Sequence, residues 1–112
     1  MRNNRVIMIR KIIFEVPTPL NFSVRVTEDY WNIIVSIKHP VMKGKEAEVK
    51  LVLTDPDEIR QSLKDDNVYL FYKMQKEQRW ICAVTKDNAG YGFLITAYPT
   101  DNIKEGKEIW KK

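Results

Sequence analysis

Val68-Tyr69-Leu70-Phe71-Tyr72-Lys73, Trp80-Ile81-Cys82-Ala83-Val84-Thr85-Lys86 and Tyr91-Gly92-Phe93-Leu94-Ile95-Thr96-Ala97-Tyr98 are three apolar-rich runs, separated by a polar turn and by Asp87-Asn88-Ala89-Gly90. In the first, Val68, Leu70 and Tyr72 alternate with Tyr69, Phe71 and Lys73, the two-residue period of a strand. Three such strands with short turns make an antiparallel meander, which Pro99 is expected to stop. By the same period Thr96 and Tyr98 share one face of the last strand.

Working back from the meander, Asp55-Pro56-Asp57-Glu58 reads as a helix start. Asp55 stands at the cap, Pro56 at the first helical position, and Glu58 is placed to bond back to the cap amide. Ile59 and Leu63 would anchor that short helix, and Lys64-Asp65-Asp66-Asn67 is the turn out of it. Met42 to Leu53 fits either a strand or a helix. The good helix formers around Lys45-Glu46-Ala47-Glu48 favour helix. Before it, Tyr30, Ile33, Ile34 and Ile37 fall at i, i+3, i+4 and i+7, an amphipathic helix capped by Thr27, with Glu28 and Asp29 in its first turn. Pro40 disfavours helical geometry at His39 and should end it there. Residues 5 to 16 and Phe22 to Thr27 read as the two strands of a β-hairpin around Pro17-Thr18-Pro19. Asp101 to Trp110 is expected to form a short tail helix or turn.

The fold expected is α+β: an N-terminal β-hairpin, then two to three helices packed on one face of an antiparallel β-meander. The chain has 112 residues and is 44% apolar, enough for one domain with one core. The hairpin, residues 5–27, would be an extension on a core spanning 28–110. No apolar run approaches a membrane span, and Met1-Arg2-Asn3-Asn4-Arg5 opens no signal-peptide apolar stretch. A lone cysteine, Cys82, has no internal disulfide partner, which suits a reducing cytoplasm. Nineteen basic against fifteen acidic side chains give a net charge of +4, a modest bias toward polyanions.

No histidine or cysteine pair stands at metal-ligand spacing, and neither a phosphate-cradling glycine loop nor a dinucleotide fingerprint is present, so no metal and no cofactor is expected. What remains is one histidine, His39, the side chain type that ordinarily titrates near neutrality, together with cations and hydroxyls on a sheet. Such a set can cleave RNA: a base takes the proton of the 2′-hydroxyl, a cation stabilises the phosphorane oxygens, and an acid assists the leaving group. Arg60, Lys73, Thr96 and Tyr98 are candidates. Each has a plainer reading. Arg60 can pair with Asp57 or solvent, and Ser62 can bond its own backbone. Tyr72 and Tyr98 can be packing residues with a hydroxyl at the rim, and Lys73 and Lys86 solvated strand ends. Trp31, Trp80 and Trp110 fit core or rim positions better than base-stacking ones.

The linear order of Lys38-His39-Pro40, Thr54-Asp55-Pro56-Asp57-Glu58-Ile59-Arg60-Gln61-Ser62, Val68 to Lys73, Trp80 to Lys86 and Ile95-Thr96-Ala97-Tyr98, followed by a tail with Gly106 and Trp110, resembles the phage and mobile-element nuclease-like branch of the barnase–EndoU–colicin–RelE superfamily. The resemblance covers roughly residues 30 to 110. It implies N-terminal helices against an antiparallel sheet and metal-independent endoribonuclease activity, as a toxin or mobile-element effector, with RNA as substrate and an antitoxin or immunity protein as a further partner. His39 would match the helix-borne general base or acid, Arg60 the phosphate-binding cation and Thr96 the hydroxyl on the last strand, with Tyr98 beside it to orient or contact substrate. Ser62, Tyr72 and Lys73 lie in matching segments as substrate-binding positions. The alternative on the same fold is a non-catalytic module that binds RNA or a protein. The hairpin is not required by a compact nuclease core and would either extend the sheet or form a homodimer surface. On a nuclease reading His39, Arg60 and Thr96 should converge on one cleft within about the reach of a single phosphate, and the reading fails if they point to different faces.

Overall fold

A computed structural model describes residues 11–112. The part of the first predicted strand before Lys11 lies outside the described residues. From Ile12 the alternation is realised: Phe14 and Val16 are buried while Glu15 and Pro17 are exposed along β1 (Ile12–Pro17), and Val24 and Val26 are buried along β2 (Ser23–Thr27). The two pair antiparallel as a hairpin. Its turn is closed by Thr18, whose hydroxyl donates to the Phe22 carbonyl at 2.8 Å, and by Asn21 in the left-handed region at φ 67°.

Thr27 caps α1 (Glu28–Ile33) as its sequence position predicts, its hydroxyl accepting from the Tyr30 N–H at 3.2 Å. The helix then widens into a π-helical stretch, Ile34–Lys38, closed by the His39 N–H on the Ile34 carbonyl at 2.7 Å. The wider turn shifts the phase of the side chains. Trp31 and Ile34 face the core, whereas Ile33 and Ile37, both expected on the apolar face, are 41% and 75% exposed, Ile37 following the wider turn. Pro40 ends the helix as expected: His39 is extended (φ −145°, ψ 79°), and a 3-10 turn, Pro40–Met42, follows and buries Met42. The ambiguous segment is helical, α2 (Glu46–Thr54), burying Val49, Val52 and Leu53.

The next stretch departs from the helix expected there. Asp55 closes α2, its N–H on the Leu51 carbonyl at 2.8 Å, and Glu58–Gln61 is a strand, β3. Strand pairing on both sides overrides the local capping pattern: β3 lies between β4 (Val68–Lys76) and β7 (Lys107–Lys111), which satisfy its backbone from either edge. Ile59 is buried as expected, but Leu63 is 80% exposed. The tail expected as helix or turn is likewise a strand, β7, completed by pairing with β3.

The meander is present as β4, β5 (Arg79–Asn88) and β6 (Tyr91–Thr100), all antiparallel. Pro99 does not stop β6. It pairs with Ile81, and β2 has left the far side of β6 well before that point, so no partner there needs the missing N–H. The whole sheet is mixed rather than antiparallel, in the order β1-β2-β6-β5-β4-β3-β7, because the hairpin joins the meander through a short parallel pairing of Ser23, Val24 and Arg25 with Tyr91, Gly92 and Phe93. Gly92 is required there: a Cβ would stand 2.6 Å from the Phe22 ring and 2.7 Å from the Ser23 carbonyl oxygen.

The helices cover one face, the inner face, where Trp31, Ile34, Met42, Val49, Leu53, Ile59, Phe71 and Leu94 belong to one apolar cluster. On the outer face a smaller cluster, Leu70, Tyr72 and Cys82, packs with Trp80, Val84, Tyr98 and Ile103 of the β6–β7 connection. A β-bulge interrupts β6, since Thr85 pairs with Leu94 and Val84 with Thr96, leaving Ile95 as the extra residue.

Candidate functional site

The strand registers lay the outer face out in rows. Arg60, Leu70, Val84 and Thr96 oppose one another across β3, β4, β5 and β6, and Glu58, Tyr72, Cys82 and Tyr98 form the adjacent row. The β6–β7 connection crosses this face. A cleft of about 450 Å³ remains beside it, lined among others by Ser62, Leu70, Val84, Tyr98, Lys104 and Glu105.

His39 reaches the edge of this face from the helical side. Lys38 and Tyr30 tie the π-helical turn to the bulge, the Lys38 ammonium donating to the Tyr30 hydroxyl (2.9 Å) and to the Ile95 carbonyl (3.0 Å), and the Tyr30 hydroxyl donating to the same carbonyl (3.0 Å). That carbonyl is free to accept because β2 has left β6 by this point and a bulge residue lies outside the regular ladder. The tether sets the His39 ring against Tyr98, centroids 5.3 Å apart with a 40° tilt. Thr96, two residues before Tyr98 on the same face, has a buried hydroxyl with no hydrogen-bond partner. His39 thus meets Tyr98 at β6, with Thr96 two residues back on the same face of the strand.

Arg60 is placed elsewhere. It sits on β3 instead of a helix, three strand spacings or about 14 Å of sheet from Thr96. Its guanidinium is engaged: Nη1 donates to the Ile103 carbonyl at 3.2 Å, and Nε lies 3.3 Å from Glu58 Oε2, close enough for an ion pair but misaligned for a hydrogen bond. The two side chains are 20% and 12% exposed. Arg60 therefore shares the outer face with His39 and Thr96, but β4 and β5 lie between them, and the expected convergence of the three within reach of one phosphate is not met. Its partner is Glu58, not Asp57.

Ser62 lies at the cleft rim, with its hydroxyl accepting from the Lys64 N–H at 3.1 Å. Tyr72 is buried in the outer-face floor. Lys73 is on the inner-facing side of β4, opposite Ile81, where its ammonium donates to the Asp55 carbonyl (2.9 Å) and carboxylate (3.2 Å), clamping the α2–β3 connection away from the cleft.

Burial is the main cause that pushes Tyr72 and Tyr98 above the usual phenol range, with the Cys82 thiol between them adding to it. Burial also pushes Cys82 up to about 12, against the opposing pull of hydrogen bonds with Tyr98 and Tyr72. All three stay protonated at neutral pH. Tyr98 can accordingly donate a hydrogen bond but not accept a proton, and its hydroxyl makes a long contact, 3.5 Å, with Glu105. His39 is the group in this set with proton-transfer chemistry, Thr96 and Tyr98 are neutral donors, and Arg60 is a cation neutralised by Glu58.

Sequence reasoning missed Glu58, Glu105 and Cys82 as members of the outer face. Glu58 and Cys82 carry a usable signal, the two-residue period that links Glu58 to Arg60 and Cys82 to Val84 once both segments are read as strands. Glu105 has none, because only the path of the β6–β7 connection brings it to Tyr98. Among the described residues no three of His, Cys, Asp and Glu gather at metal-binding distance, and no helix is long and apolar enough to cross a membrane. Comparison with family models, curated proteins and solved structures finds no match to this chain.

Proposed function

We propose that the protein is an endoribonuclease of the kind its sequence resembles, a toxin or mobile-element effector, acting by 2′-hydroxyl attack where His39 meets Tyr98 at the edge of the outer face, without Arg60 as its phosphate cation. The observation that carries the reading is the His39–Tyr98 contact beside the unpartnered Thr96 hydroxyl. A proton-transfer group stands there next to a phenol able to donate to a phosphate oxygen, while the Thr96 hydroxyl beside it is buried and would have to be uncovered to take part. In the reaction a base removes the 2′-hydroxyl proton, the 2′-oxygen forms a bond to phosphorus, and the bond to the 5′-oxygen breaks as that oxygen takes a proton from an acid. The products are a 2′,3′-cyclic phosphate and a 5′-hydroxyl. His39 fills one of the two proton-transfer roles.

The test is cleavage of a labelled single-stranded RNA in EDTA, by wild type and His39→Ala, with a 2′-deoxy substitution at the cut position as control. Wild type is expected to cut the RNA and not the deoxy-substituted strand, and His39→Ala to lose about 100-fold or more of the rate. Absence of cleavage by wild type sinks the enzymatic reading, and cleavage unchanged in His39→Ala sinks the role given to His39.

A second reading, RNA binding without cleavage, is favoured by one observation: Arg60 is already satisfied by Glu58 and Ile103. It predicts RNA binding by wild type that weakens as salt rises, with no product formed.

A further inference from the structure

We infer that Tyr91 and Phe93 of β6 form a nucleobase platform that seats unpaired bases of the RNA strand along β6, on the strand that carries Tyr98 beside His39. This deepens the RNA reading above and rests on it.

Tyr91 is 77% and Phe93 38% exposed, and they are the aromatic side chains among the large exposed hydrophobics of the described residues. They alternate with Gly92 and Leu94, which are buried, so both rings stand on the outer face about 7 Å apart along the strand. A regular strand would send Thr96 and Tyr98 to the opposite face from Tyr91 and Phe93. The bulge at Ile95 resets the alternation, and all four share one face. A single strand thus presents two exposed rings followed by the hydroxyl and phenol that stand beside His39.

Cations flank the rings. Arg25 is the register partner of Phe93 on β2, and Lys86 its partner on β5. Each already faces a carboxylate, Arg25 with Glu15 at 3.3 Å and Lys86 with Asp65 at 3.4 Å. These pairs are solvent-exposed and weak, so either cation can turn to a phosphate at small cost. A groove of about 810 Å³ runs along β2 and β6, where Ser23 and Asn88 border the rings with groups able to bond base edges. Exposed rings with adjacent cations on a sheet match unpaired bases, which stack on aromatic side chains while their phosphates meet positive charge. A duplex hides those base faces.

The test is fluorescence anisotropy of a labelled single-stranded RNA oligomer and of a fully paired duplex of the same sequence, with wild type, Tyr91→Ala/Phe93→Ala and Phe93→Trp. Wild type is expected to prefer the single strand. The double alanine variant is expected to bind it at least about tenfold more weakly, and the indole of Phe93→Trp to be quenched on RNA addition with affinity retained. Equal binding by wild type and the double variant, or a preference for duplex, overturns the platform. A double variant that fails to fold shifts the decision to Phe93→Trp, where absence of quenching at saturating RNA overturns it. Binding assays keep the two readings apart: loss of the His39-dependent cleavage result leaves the platform standing, whereas wild type that binds no RNA at low salt overturns both.

Discussion

The inner face of the sheet is filled by aliphatic and aromatic side chains from every helical element and all strands of the meander, with Val24, Val49, Val52, Leu53, Ile59 and Phe71 completely buried. The outer face closes over Leu70, Tyr72 and Cys82 alone, and beside them it buries an arginine–glutamate pair and a threonine hydroxyl without a partner. The inner face is a device for stability, since burial of apolar area is what favours the folded chain. The outer face keeps polar groups at a cost in stability. Departures of that kind concentrate where a protein binds or reacts.

Substitutions on the two faces should separate accordingly. Phe71→Ala, at the centre of the inner face, is expected to lower unfolding free energy by about 3–5 kcal/mol, read from urea midpoints. A smaller loss there would break the contrast. On the outer face, Arg60→Ala leaves the Glu58 carboxylate in its enclosed site without its cation, for a loss of about 2–3 kcal/mol. The double variant Arg60→Met/Glu58→Leu should recover most of it. If the double variant is no better than the single, the pair itself is a source of stability and the outer face, like the inner, is built for it.

The outer face should also make the protein sensitive to alkali. The Cys82 thiol, raised to about 12 from an ordinary value near 9, keeps its proton in the folded state while the unfolded chain loses it, so stability is full below about pH 9 and falls as pH rises toward 12. Tyr72 and Tyr98, also raised, add to the fall above about pH 10. Urea midpoints should decline over that window, and Cys82→Ala should flatten its onset between about pH 9 and 10, where the unfolded thiol titrates ahead of the phenols. The smallest effect belongs to the surface. Asp65 is held below the usual carboxylate range by the Asn67 N–H and then Lys86, and Asp55 by Lys112 and Lys73. A lowered carboxyl contributes stability above its ordinary value, lost as pH falls through the folded one. Asp65→Asn should therefore lie slightly below wild type at neutral pH and match it near about pH 2.

The meander, the hairpin and α2 were legible because their signals are local: a period of two between turn residues, or a run of good helix formers. β3 and β7 were not. Glu58–Gln61 follows a proline and two aspartates that imitate a helix start, and Lys107–Lys111 is short and mostly charged. Each is a strand because the other is, and neither segment carries that information alone. Reading β3 as helix put Arg60 on the wrong element and hid Glu58 beside it. His39 stood out by its uniqueness and by Pro40, and the common face of Thr96 and Tyr98 followed from their spacing. The contact of His39 with Tyr98 depends on a π-helical turn and on Lys38 and Tyr30 reaching Ile95, which no periodicity foretells.

Ile95 also shows how a chain can encode length rather than identity. Its contribution to β6 is made by its backbone: one additional residue, one free carbonyl. Exchanging its side chain for another of similar size keeps both. Removing the residue keeps neither: Leu94 and Thr96 become neighbours in a regular ladder, so Thr96 and Tyr98 hold their face, but the carbonyl that Lys38 and Tyr30 grip is gone. A substitution at this position is thus a local edit, whereas a single-codon deletion straightens the strand and unties the helical turn that carries His39.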